Sequence, residues 1–92
     1  MKSVIQSEKC CYVCGTTINL HCHHIFYGTS NRKQSEKHGM KVWLCQEHHT
    51  GNTGVHFNKF LDLYLKQKAQ THFESEIGTR NDFRKVFGKS WL

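Results

Sequence analysis

The chain has 92 residues, of which 37% are hydrophobic, and 13 Lys and Arg against 7 Asp and Glu give it a net charge of +6. A chain this short makes one small domain with a limited core, so a metal staple is physically reasonable. Five cysteines, an odd number, exclude a fully paired disulfide framework, and no apolar run is long enough to span a bilayer.

Residues 1–9, MKSVIQSEK, read as a short leader without the apolar stretch of a secretory signal. With thiols clustered at metal-type spacings, this places the expected location in a reducing cytoplasm. Residues 10–20 read as a knuckle around Cys11 and Cys14, with Gly15 supplying the turn. Residues 21–27 are expected to be a strand, since Ile25, Phe26 and Tyr27 favour extended backbone. The polar stretch Gly28–Gly39 predicts a short helix, capped by Ser30 or Asn31 and ended by Gly39. Its Arg32, Lys33 and Lys37 are candidate phosphate contacts, the plain alternative being a solvated face.

Residues 40–45, MKVWLC, predict a second strand, with a helical turn starting near Gln46. Phe57, Leu61, Tyr64, Leu65, Ala69, Phe73 and Ile77 recur at helical spacing and predict a long helix over 55–77, stopped by Gly78. Thr79 and Asp82 have capping-box spacing for a last helix, Arg80 to Phe87, closed by Gly88. Phe83, Val86, Phe87 and Trp91 are expected to pack back on the long helix. There is no proline and no repeat, and the composition holds steady. The expectation is one domain: the leader, then knuckle and core over 10–55, then C-terminal helices over 56–92.

Cys11-x-x-Cys14 and Cys45-x-x-His48 have spacings that let two side chains converge on one ion, and together they predict a structural zinc site. His48 has a second possible use in a histidine site, with Cys10 then the substitute fourth ligand. Cys22 reads as a buried residue or a bystander.

Phosphodiester hydrolysis needs a base for the attacking water, charge stabilisation at phosphorus and help for the departing oxygen. The His23-His24 doublet supplies candidates: His24 as the base and His23 as a ligand of a divalent ion. His49 is the expected second ligand and His56 a possible third, although Gly51 and Gly54 leave the path between them open. Neighbouring strand residues face opposite ways, so the strand must bend or end at the doublet for both to serve one site.

The pattern C-x-x-C, H-H-I, L-C-x-x-H-H resembles the HNH (ββα-metal) nuclease superfamily. His23 stands where members commonly carry Asp, and His48 where the fourth zinc cysteine stands. The blocks H-H-I-F-Y-G-T, S-E-K-H-G, G-V-H-F-N-K, L-K-Q-K-A-Q and F-G-K-S-W-L are similar to small phage HNH proteins related to the recombination-enhancement (Ref-type) RecA-dependent nucleases. That similarity covers roughly residues 10–92. It implies an α+β fold with a small ββα-metal core, a structural zinc knuckle and C-terminal helices. It also implies metal-dependent DNA cleavage in a phage setting and hence a host cytoplasm; little sequence specificity is expected because the chain has no obvious major-groove reader. Mg²⁺ is the usual ion for such chemistry, whereas an all-histidine site favours Zn²⁺, Ni²⁺ or Mn²⁺.

Two departures stand out. The Asn that orients the base in HNH proteins has no counterpart in Gly39-Met40-Lys41-Val42-Trp43; a main-chain carbonyl, Asn52, Asn58 or another side chain must take its place. The basic N-terminal extension of Ref-type proteins is not in this sequence, so dependence on a RecA-type recombinase is not carried over. The rival reading is a non-catalytic zinc-bound module that binds DNA or assists recombination or packaging, and a third is a docking protein with Tyr64 on its face.

Overall fold

The structure, a computed structural model, describes residues 2–92; Met1, part of the expected leader, lies outside them. Strand β1 (Leu20–His24) pairs antiparallel with β2 (Lys41–Cys45), Leu20 facing Cys45 and His24 facing Lys41. Helix α1 (Thr29–His38) joins the strands, the single turn α2 (Gln46–His49) leaves β2 directly, and α3 (Lys59–Glu76) and α4 (Arg80–Phe87) follow. The fold is therefore α+β. No helix among the described residues is long and apolar enough to cross a membrane.

β1 is shorter than the expected strand over 21–27, and α1 supplies the reason. The buried Ser35 hydroxyl donates to Phe26 O (2.7 Å) and accepts from Phe26 N–H (3.0 Å). With both main-chain groups of Phe26 taken, the backbone has nothing left to offer the sheet and turns away. α1 itself starts without a side-chain cap: Gly28, at φ 93°, holds the position expected of Ser30 or Asn31. Asn31 instead donates from Nδ2 to Phe87 O (3.2 Å), tying α1 to the end of α4. Gly39 closes the helix in the left-handed conformation that glycine adopts without strain.

α3 begins later than the apolar pattern suggested. The Asn58 side-chain Oδ1 accepts from Phe60 N and Leu61 N, both at 3.1 Å, which fixes the first turn. Its buried face is Leu65, Lys66, Ala69, Gln70 and Phe73. Phe57, Tyr64 and Ile77, expected on the apolar stripe, are exposed. Phe57 precedes the cap and Ile77 ends the helix, while Tyr64 is turned about 100° from Leu65. The buried face swings towards Lys66 and Gln70 because both are satisfied there. Lys66 pairs with Asp62 at 2.8 Å; Gln70 Oε1 accepts from Trp91 N (2.7 Å) and its Nε2 donates to Ser90 Oγ (2.9 Å), which pins the C-terminal tail.

α4 spans the expected residues with the Thr79–Asp82 capping box in place. Phe83 and Phe87 meet Phe26 at ring separations of 5.3 and 4.4 Å, and Phe83 meets Phe73 at 5.3 Å, mostly edge-on or tilted. This aromatic cluster fastens α3 and α4 to the turn after β1. At the other edge the leader is ordered against β2: Val4 N–H donates to Gly39 O (3.0 Å) and Trp43 N–H to Gln6 Oε1 (2.8 Å).

Candidate metal centres

Two groups of ligand-type side chains converge on either side of α2. In each, the potential ligand atoms lie within 4.8 Å of one another.

The first is Cys11, Cys14, Cys45 and His48. Cys14 Sγ is 3.8 Å from Cys45 Sγ, and His48 Nδ1 is 3.2 Å from Cys45 Sγ and 3.7 Å from Cys11 Sγ. Tetrahedral zinc, with bonds near 2.3 Å to sulfur and 2.0–2.1 Å to nitrogen, would set its ligands about 3.5 to 3.8 Å apart. The group is thus compatible with structural zinc. Local turns build it: Gly15, at φ 78°, returns its N–H to Cys11 O (2.8 Å), and Cys11 N–H reaches Thr16 O (2.8 Å). Burial alone would raise the Cys11 thiol, but hydrogen bonds from main-chain groups of Cys14, Cys45 and Val13 bring it down to about 6. A thiolate at neutral pH is the ligand form. Cys10, the alternative fourth ligand, lies outside this group and faces Gln6 Nε2 (3.9 Å). Cys22 is half-buried and outside both groups, its thiol pushed up by burial.

The second group is His23, His49 and His56. Their ring centroids stand 5.3, 5.5 and 5.1 Å apart pairwise. His23 comes from β1 and His49 from the end of α2. His56 arrives through a tight return in which Val55 N–H donates to His48 O (2.8 Å) and Gly54 N–H to Gly51 O (2.9 Å). The two glycines make that return possible. A Cβ on Gly54 would sit 2.8 Å from His49 C and O, and one on Gly51 would sit 2.6 Å from Glu47 O.

The electrostatics of this group suit a cation. His23 is buried, and its Nε2 has no hydrogen-bond partner among the described residues. An orphaned buried polar atom is costly and calls for an explanation; a lone pair aimed at an ion supplies one. Burial first, then the neighbouring His49 and His56, push the His23 pKa down to about 3. His49 is lowered too, by burial and then by His56 and His21. Both rings are held in the neutral, ligating form. His49 Nδ1 is 2.9 Å from His21 Nδ1, which leaves its Nε2 free.

His24 stands apart from the three rings. β1 ends there, as a shared site requires, yet the side chain faces α1, and its Nε2 lies 2.9 Å from Glu36 Oε1. Lys41 Nζ binds the other oxygen of Glu36. Lys41 and then His24 hold the Glu36 carboxyl down to about 2. The group that orients His24 is therefore Glu36, not Asn52 or Asn58: Asn52 is exposed in the loop and Asn58 caps α3. His24 and Glu36 line an open cleft of about 910 Å³ together with Arg32, Lys33 and Lys37, the three basic residues marked as phosphate contacts.

Sequence reasoning passed over Glu36 and His21. The signal for His21 was present: His21 and His23 are two apart on a strand and so share a face. Glu36 had none, because only the packing of α1 beside the end of β1 brings it to His24.

Neither a family model, nor a curated protein, nor a solved structure matches this chain.

Proposed function

We propose that this chain is a metal-dependent endonuclease of the HNH (ββα-metal) type that hydrolyses DNA phosphodiester bonds with little sequence preference, in a phage-encoded setting. The observation that carries the reading is the convergence of His23, His49 and His56 beside a strand end that presents His24 hydrogen-bonded to Glu36. The two-stranded sheet followed at once by α2, with its terminal His49, supports a ββα-metal core.

His24 would act as the general base. With Nε2–H donated to Glu36 Oε1, the Nδ1 lone pair is the one left to take a proton from water. The Glu36 carboxylate, itself exposed, orients the ring through this hydrogen bond and favours the imidazolium that forms. Arg32, Lys33 and Lys37 would hold flanking phosphates in the cleft beside His24, giving affinity without reading sequence. A divalent ion held by His23, His49 and His56 would supply charge neutralisation at phosphorus and at the departing oxygen. Three neutral imidazoles and no carboxylate suit Zn²⁺, Ni²⁺ or Mn²⁺ better than Mg²⁺. Zinc on Cys11, Cys14, Cys45 and His48 would clamp α2 to the knuckle and so fix the position of His49, one residue on.

The test is plasmid nicking by wild type and His24→Ala at matched zinc content, with Mg²⁺, Mn²⁺, Ni²⁺ and Zn²⁺ in turn. Metal-dependent nicking that His24→Ala abolishes supports the reading. If neither protein cuts, alone or with a RecA-type filament, and both bind DNA equally, the nuclease assignment fails in favour of a non-catalytic zinc-bound recombination or packaging module.

A further inference from the structure

Phe57 and Phe60 are the most exposed aromatic side chains among the described residues, at 70% and 87%. Phe57 directly follows the ligand candidate His56. It occupies the position before a helix cap, where an apolar residue ordinarily packs on the fourth residue of the helix. That residue here is Asp62, already taken by Lys66 (2.8 Å) and by the Tyr27 hydroxyl (3.0 Å). The ring is thus left without its usual intramolecular partner, and Phe60 follows in the first turn of α3. A third aromatic, Tyr27, half exposed, stands 5.5 Å from the His56 ring.

The charge of this surface is also one-sided. From His56 to Lys68 the exposed cations are Lys59 and Lys68, while Asp62, the one acidic residue, is already paired with the buried Lys66 (2.8 Å). Exposed aromatics with interleaved lysines match a nucleic-acid strand, whose phosphates meet the cations and whose bases meet the rings. A surface meant for a second copy of this chain would set like charges against each other.

We propose that Phe57 and Phe60 form a stacking platform for unpaired bases next to the bond to be cut, so that the preferred substrate is single-stranded or flapped DNA rather than intact duplex. The proposal rests on the nuclease reading and names its substrate class. In a duplex the bases are already stacked on each other; an unpaired base offers a free π-face to a ring.

The test measures binding of a labelled single-stranded oligonucleotide and a duplex of equal length by fluorescence anisotropy at one ionic strength. All variants carry His24→Ala so that nothing is cut. Phe57→Ala and Phe60→Ala should each weaken single-strand binding roughly 5- to 150-fold and leave duplex binding unchanged. Phe60→Trp should keep the affinity, with its fluorescence quenched as bases stack. Equal losses on both DNA forms, or no loss, would overturn the proposal. So would a wild-type dimer in sedimentation that the alanine variants convert to monomer. Failure of plasmid cutting, by contrast, sinks the nuclease reading while single-strand binding through the platform can still be read.

Discussion

His21 Nδ1 lies 2.9 Å from His49 Nδ1, with the two rings nearly perpendicular at 82°. One nitrogen must donate and the other accept. If His49 donates, its Nε2 carries the lone pair and is ready for an ion, so His21 fixes the tautomer of a ligand. This is the role that carboxylates and carbonyls play behind metal-bound histidines elsewhere. We therefore expect His21→Ala to weaken metal binding at the histidine group about 10- to 100-fold. His21→Gln, which keeps an acceptor, should recover part of the loss. Titration with Co²⁺ followed by its visible absorption checks this; unchanged affinity in His21→Ala would remove His21 from the site.

The orphaned Nε2 of His23 predicts a conflict between stability and metal binding. Replacing His23 with Leu removes an unsatisfied buried group that costs about 1–3 kcal/mol. With one zinc equivalent on the cysteine group, His23→Leu should therefore unfold at higher urea than wild type. Added Ni²⁺ or Zn²⁺ should stabilise wild type and leave the variant where it was. A variant less stable than wild type without the second ion would refute this account.

The same residue sets a pH dependence. His23 is neutral in the fold down to about 3, while the unfolded chain protonates it near 6.5. Below 6.5 the unfolded state binds the extra proton, so the stability present above that pH drains away as pH falls towards 3. One such group contributes a slope of up to about 1.4 kcal/mol per pH unit. Between pH 7.5 and 5.5, with the cysteine group zinc-loaded, wild type should lose more stability than His23→Leu. Parallel urea midpoints across that range would contradict it.

Cys14 offers a clean test of the cysteine group because its side chain is exposed. Truncation to Ala opens no cavity, so any loss reports on the ion. Structural zinc contributes on the order of 10 kcal/mol to small domains, and losing one ligand should cost several kcal/mol. Thermal melts followed by circular dichroism should show Cys14→Ala well below wild type, with the two converging in excess chelator. Coincident melts before chelation would argue against zinc there.

Gly54→Ala addresses the return that delivers His56. The added Cβ would press on the main chain of His49, and such overpacking costs about 1–3 kcal/mol. We expect the variant to fold with lowered stability and to bind one metal equivalent per chain where wild type binds two. Two equivalents in the variant, by elemental analysis after dialysis, would separate His56 from the ion.

The sequence by itself determined what depends on short spacing. Cys11-x-x-Cys14 and Cys45-x-x-His48 announced a common site because two intervening residues leave little freedom in where the side chains point. The Thr79–Asp82 cap and the glycine stops at Gly39 and Gly88 were legible for the same reason, since a capping bond or a left-handed turn involves only neighbours in the chain. The grouping of His23 with His49 and His56 was suggested by pattern and resemblance, but its geometry depends on a close approach of main chain at Gly51 and Gly54 that no local propensity encodes. Tertiary structure alone decided the rest. Ser35 ended β1 early by capturing Phe26; Gln70 found Ser90 and Trp91 of the C-terminal tail and turned α3 away from Tyr64; Glu36, on α1, reached His24 at the end of β1. Each of these is a polar contact between residues that only packing brings together, and the strength of such contacts depends on burial, which a linear pattern of residue types does not specify.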